Sequence, residues 1–121
     1  MSKYQTLDAW KVSMELVRKI YFITCRYPRE ELFALTSQTK RAAVSIPSNI
    51  AEGMGRQYKK DTIQFLYISR GSLYELETLL NVALMNLLID EVIFKETIEL
   101  VHKSMQVLNG LIAYLKNSTL N

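Results

Sequence analysis

Phe94, Ile98, Val101, Met105, Leu108, Ile112 and Leu115 recur at spacings of 4, 3, 4, 3, 4 and 3 residues. That alternation keeps an apolar seam on one side of an α-helix over its whole length. A strand cannot carry it, because strand side chains alternate with a period of two. A seam of this kind needs a partner surface, so the helix belongs to a packed assembly of helices. The same spacing occurs near the start of the chain, at Leu7, Trp10, Met14, Val17, Tyr21 and Thr24. A second stripe, Leu16, Ile20, Ile23 and Tyr27, lies beside it. A face that wide serves two neighbours in a bundle, or one neighbour and an oligomer contact.

Proline, glycine and aspartate punctuate the rest. Pro28 ends the first helix, because the residue before proline is pushed out of α geometry. Leu35, Thr39, Ala42, Ile46 and Ile50 carry a second helix through Pro47. That proline removes a backbone donor and frees the carbonyl of Ala43, so a kink without a break is expected. Side chains of Ser45, Ser48 or Asn49 are the nearest donors for the freed group. Gly53 and Gly55 are expected to close the helix in left-handed geometry. Leu66, Leu73, Leu76, Leu80, Ala83 and Leu87 mark a third helix opened by Lys60 or Asp61, with Gly71-Ser72 allowing close packing on Ala42 and Ala43. Asp90 is a good N-cap for the fourth helix, which fades at Asn117-Ser118-Thr119. The spans predicted are near 7–27, 34–54, 61–88 and 91–116. Short connections make sequential helices antiparallel neighbours. The expected fold is therefore all-α: an antiparallel up-down-up-down four-helix bundle, in one domain over residues 1–121.

The chemistry of the chain is sparse. A di-iron bundle needs two Glu-x-x-His pairs and further carboxylates; this sequence has one histidine. Glu99 and His102 form such a tetrapeptide, but among charged neighbours, as on a solvated face. Gly53-Met54-Gly55-Arg56 lacks the strand and the Gly-Lys-Ser/Thr ending of a phosphate loop. No Ser-His-Asp or Cys-His arrangement is present. Cys25 reads as a small buried apolar group, and Met14, Met54, Met85 and Met105 as core filler. No enzyme, cofactor or metal is expected. With one cysteine, no internal disulfide forms, which suits a reducing compartment. Lys3, Asp8 and Lys11 interrupt the start of the chain, against a signal peptide. No segment approaches the ~18–20 apolar residues of a membrane span. The expected location is cytoplasmic.

Charge is uneven. Residues 1–70 hold 12 Lys/Arg against 6 Asp/Glu, and residues 71–121 hold 3 against 6. Such asymmetry points to a polyanionic partner for the first half. Its centre is Arg56-Gln57-Tyr58-Lys59-Lys60, in the loop between the second and third helices. Cations with an interleaved aromatic suit nucleic-acid backbones and stacked bases. The up-down topology brings Lys3 and Lys116 to the same end, with Asp8, Glu52 and Asp61 as partial counterweights. The candidate nucleic-acid-binding residues are Arg56, Lys59 and Lys60, with Lys40 and Arg41 higher on the second helix. Arg41 has an alternative role, held within the fold by Glu75 or Glu77. Apolar surface beyond one core stripe, at Trp10, Tyr21, Leu111 and Tyr114, predicts a homo-oligomer. The competing function is a protein-interaction scaffold that binds no nucleic acid.

The stretch Gln38-Thr39-Lys40-Arg41-Ala42-Ala43-Val44-Ser45-Ile46-Pro47-Ser48-Asn49-Ile50-Ala51-Glu52-Gly53-Met54-Gly55-Arg56 closely resembles the signature of a known family. These are small bundle proteins encoded within intervening sequences of bacterial 23S ribosomal RNA genes, some labelled S23 ribosomal proteins. Trp10 to Leu16, Tyr27-Pro28 and Gly71 to Thr78 support the resemblance, which covers nearly the whole chain. The family often has glycine where Ala34 stands and paired arginines where Lys40-Arg41 stand. The resemblance implies a four-helix bundle assembled as a ring-like homopentamer. It also implies kinship with the accessory protein of diversity-generating retroelements, which binds nucleic acid and a reverse transcriptase. It implies no enzymatic activity.

Overall fold

The apolar seams fold as four α-helices in the computed structural model, which describes residues 3–118. They are α1 (Asp8–Thr24), α2 (Ser37–Met54), α3 (Lys59–Met85) and α4 (Glu91–Lys116). Each packs on its chain neighbours, and α4 closes back on α1. The result is the all-α up-down bundle that the sequence predicts. A 3-10 turn at Lys3–Thr6 precedes α1. Between α1 and α2 lie a second 3-10 turn, Arg29–Glu31, and a π-helical turn, Leu32–Thr36. Among the described residues no helix is long and apolar enough to cross a membrane. Thr119, at the expected end of α4, lies outside the described residues.

The core is centred on fully buried Leu16, Ile20, Ile46, Ile50, Leu66, Leu73, Leu76, Leu80, Val101 and Leu108. On α1 the structure divides the wide apolar face between core and surface. Leu16, Ile20, Ile23 and Tyr27 face the core, while Met14 and Tyr21 are exposed and Trp10 and Val17 lie at its edge. Both stripes obey helical spacing, so the choice falls to the flanking residues. Ala9, Val12 and Ser13 are compact enough to sit against neighbouring helices and are buried. Met85 is exposed too, so neither it nor Met14 is core filler. Cys25 is likewise exposed, with its Sγ 3.0 Å from the carbonyl of Phe22, because α1 ends before it and turns it outward.

The α2–α3 seam depends on small groups. A Cβ added at Gly53 would stand 2.8 Å from the Phe65 Cβ and 3.1 Å from the Thr62 carbonyl oxygen. Thr62 Oγ1 donates to the Gly53 carbonyl at 2.7 Å, and Ser69 Oγ to that of Ile46 at 2.6 Å. Ser45 and Ser72 hydroxyls meet at 2.6 Å. Of the pair Gly71-Ser72, Ser72 meets α2 through Ser45, whereas Gly71 is exposed and a Cβ there would meet nothing; the approach that requires glycine is at Gly53. Gly55 caps α2 in right-handed geometry, not the left-handed form expected, with its N–H bonded to the carbonyls of Ala51 and Glu52.

Pro47 is buried inside an uninterrupted α2. Ser45, Ser48 and Asn49 donate to the carbonyls of Ala42, Val44 and Ser45 at 2.7, 2.8 and 2.7 Å, rather than to that of Ala43. A side chain reaches back most readily to the turn directly before it, and that sets these partners. Asp90 caps α4 as expected, its carboxylate accepting from the Ile93 N–H at 2.8 Å.

Leu87, expected in the α3 stripe, is instead 87% exposed with φ of 63°. It follows the end of α3 in a Schellman arrangement, with Leu88 N–H bonded to the Ala83 carbonyl and Leu87 N–H to that of Leu84. Glycine is the residue that geometry favours, and leucine loses about 1 kcal/mol to its own Cβ there. Leu87→Gly is therefore expected to raise stability by about 1 kcal/mol, read as a higher urea midpoint at unchanged m-value.

Tyr27 supplies a second stability test. The residue is 8% exposed and its hydroxyl has no hydrogen-bond partner among the described residues. Burial pushes the phenol pKa up from 10.0 to about 12. The folded state thus resists ionisation that the unfolded state accepts. The stability carried by neutral Tyr27 is complete below pH 10 and is lost as pH rises towards 12. Tyr27→Phe should flatten that alkaline decline and, by removing an unpaired buried hydroxyl, leave neutral-pH stability unchanged or higher by about 1 kcal/mol. Urea titrations of both proteins across this range check the expectation.

Candidate nucleic-acid interface

The end of α2, the start of α3, the N-terminal 3-10 turn and the last turns of α4 meet at one end of the bundle. Lys3, Arg56 and Lys59 line a cleft of about 370 Å³ there, and among the described residues no Asp or Glu lines it. Leu7, Met54, Leu111 and Leu115 are half-buried against the core and form its apolar floor. Tyr114, on the same helix as the two leucines, is 71% exposed at the cleft. Tyr58, which starts α3, is 57% exposed.

The cations differ in what holds them. Arg56 pairs with Glu52 at 2.9 Å, as the i, i+4 spacing predicts, and lies 4.6 Å over the Phe65 ring. Lys59 Nζ donates to the Ser118 carbonyl at 2.6 Å, tying the start of α3 to the end of α4. Its partner is neutral, and among the described residues no carboxylate pairs with it. Lys60 is exposed beside it, and Lys116 is exposed in the last turn of α4. Lys3 reaches the pole as the topology predicts.

Lys40 and Arg41 lie elsewhere. Lys40 stacks 4.8 Å over the Tyr21 ring, on the α1 side of α2. Arg41 faces the α3 side, where its guanidinium is 3.5 Å from Ser37 Oγ. It lines a separate groove of about 470 Å³ with Gln38, Ser45, Asn49, Ser72 and Glu75. The alternative of an ion pair to Glu75 or Glu77 does not form: Arg41 is exposed, and Glu77 faces His102 Nε2 at 3.4 Å. Adjacent residues on a helix point about 100° apart, and here that turn sets Lys40 against α1 and Arg41 against the α3 side. The five predicted cations thus occupy three faces, and only Arg56, Lys59 and Lys60 share the pole.

The apolar residues assigned to an oligomer also divide. Trp10, Met14 and Val17 of α1, with Val44, Pro47 and Ala51 of α2, line an open groove of about 300 Å³. Tyr21 continues it along α1. Leu111 and Tyr114 belong to the basic cleft instead. The one signal in the sequence that could have placed them there is Lys116, expected at this pole and carried by the same turns of α4.

The chain is similar in fold to a protein of unknown function from the S23 ribosomal protein family of Bacteroides thetaiotaomicron. The TM-score is 0.80 at 22% identity, with 87% of this chain and 95% of that chain covered. No curated protein matches. The family model described as 23S rRNA-intervening sequence protein matches residues 5–110, nearly the whole bundle, and the chain therefore belongs to that family.

Proposed function

We propose that the protein is a non-enzymatic, oligomeric accessory protein that holds RNA or DNA by its phosphate backbone at the basic pole. The observation that carries this reading is the cleft that brings Lys3, Arg56 and Lys59 together, with no Asp or Glu lining it among the described residues. Lys60 adds a further exposed charge next to it. Glu52 does not cancel Arg56 for this purpose. An exposed i, i+4 pair is worth only a few tenths of a kcal/mol, and a phosphate offers the same bidentate geometry.

One subunit supplies few cations. Each phosphate neutralised adds to the counterion-release term, so affinity at physiological salt needs the pole repeated. The open apolar groove between α1 and α2 supports self-association, because apolar surface of this kind marks interfaces. The homopentamer is the number that the family resemblance implies; a monomer mass by light scattering at tens of micromolar protein would rule it out. A protein partner such as a reverse transcriptase rests on the same resemblance. The groove also supports the scaffold reading, in which the assembly holds a protein and no nucleic acid.

The two readings separate in a binding titration at low salt. Two RNAs of unrelated sequence are expected to bind with affinities within a few-fold, since phosphate contacts carry no sequence information. An absence of binding to either would leave the scaffold in place of the nucleic-acid reading.

A further inference from the structure

We infer that the basic cleft receives an unpaired base, so that the site selects single-stranded over duplex nucleic acid. This rests on the nucleic-acid reading above and goes beyond it, because phosphate contacts alone do not distinguish the two forms.

The cleft is built for more than phosphate. Its rim carries Lys3, Arg56 and Lys59, but its floor is Leu7, Met54, Leu111 and Leu115. A phosphate gains nothing from an apolar floor. A base does, since its faces are apolar and its removal from water is favourable. In a duplex those faces are stacked and unavailable; in a single strand they are free. The volume, about 370 Å³, lies within the range of sites that take small ligands.

Tyr114 completes the arrangement. Its ring stands in solvent at the cleft, among residues that put leucines into the floor and cations on the rim. An aromatic platform beside cations is how proteins hold single strands without reading sequence, each stacked base contributing about 1–3 kcal/mol. The strand's phosphates on either side of the inserted base fall to Lys3 and to Lys59, whose ammonium is already held in place by the Ser118 carbonyl. Charge complementarity and the apolar floor therefore call for the same ligand.

The test compares oligothymidine with a blunt DNA duplex of equal length, on the order of twenty nucleotides, in the same low-salt buffer. The parent should bind the single strand roughly tenfold tighter or more. Tyr114→Ala should lose roughly tenfold on the single strand and leave duplex affinity unchanged, whereas Tyr114→Phe, which keeps the ring, should match the parent. A 2-aminopurine base in the strand should be quenched by the parent and not by Tyr114→Ala. The side chain is exposed, so both variants should keep the parent's helical circular dichroism. Equal affinity for the two forms, or a Tyr114→Ala loss that is absent or equal on both, overturns the inference while the backbone reading stands. If neither form binds at low salt, the basic-pole reading falls, and the base site with it.

Discussion

Gly53→Ala is expected to cost about 3 kcal/mol of stability, although alanine is the better helix former by about 1 kcal/mol. The added Cβ meets the Phe65 Cβ at 2.8 Å and the Thr62 carbonyl oxygen at 3.1 Å. Neither is the movable end of a side chain. Relief requires α2 and α3 to separate, and separation strains the buried bond from Thr62 Oγ1 to the Gly53 carbonyl. A domain of this kind has only about 5–15 kcal/mol in total, so the loss is a large fraction. Gly71→Ala serves as control: its Cβ meets nothing, and the helix gains up to about 1 kcal/mol. Urea unfolding followed by circular dichroism measures both. A Gly53→Ala protein as stable as the parent would mean that the α2–α3 seam is looser than described. The site depends on that seam, since the contact of Gly53 with Thr62 and Phe65 sets the end of α2 against the start of α3, on either side of the segment carrying Arg56 and Lys59.

Replacing Arg56, Lys59 and Lys60 together with glutamate is expected to lower nucleic-acid affinity by on the order of a hundredfold or more at low salt. Three cations become three anions around a cleft whose value is its potential. Helical content should survive. Arg56 and Lys60 are exposed, and Lys59 gives up one bond to a backbone carbonyl. Charge reversal at Lys40 and Arg41 should have a much smaller effect, because these residues face the α1 and α3 sides of α2, away from the pole. Titration of one structured RNA against all three proteins reads both effects. A triple variant that binds like the parent would make the pole a solvated loop.

The fold was legible because helical spacing and chain punctuation agreed at nearly every element. Asp90 read as an N-cap and is one; Pro47 read as a helix interior and sits there. The misreadings have a common origin. Spacing says which residues share a face, but not which of two adjoining faces goes inward, so Met14 read as core filler on α1 and is exposed, while Leu16 and Ile20 of the adjoining stripe are fully buried. Close approach is a property of two helices together, and the sequence of one helix does not separate Gly53 from Gly71. Leu87 completed a stripe in sequence but falls beyond the last turn of α3, where the left-handed residue turns it into solvent.

The candidate site was legible in part for a similar reason. A charge cluster within one loop is contiguous, so Arg56, Lys59 and Lys60 emerge from the sequence at once. Lys40 and Arg41 were grouped with them on charge alone, and helix geometry sends each to its own face. The apolar floor and Tyr114 come from other elements and appear only when the end of α4 meets the loop. The Lys59–Ser118 bond is the contact that joins them.

The most direct measurement is the salt dependence of binding by the parent protein. Affinity for one RNA, followed across a salt series, should fall linearly on logarithmic axes. Each phosphate held contributes a slope of about −0.7 for a single strand and −0.9 for a duplex. Engagement of the cleft cations by several subunits predicts a slope steeper than about −3. A slope near zero, with binding otherwise intact, would contradict the account, because the basic pole would then have no part in holding the nucleic acid.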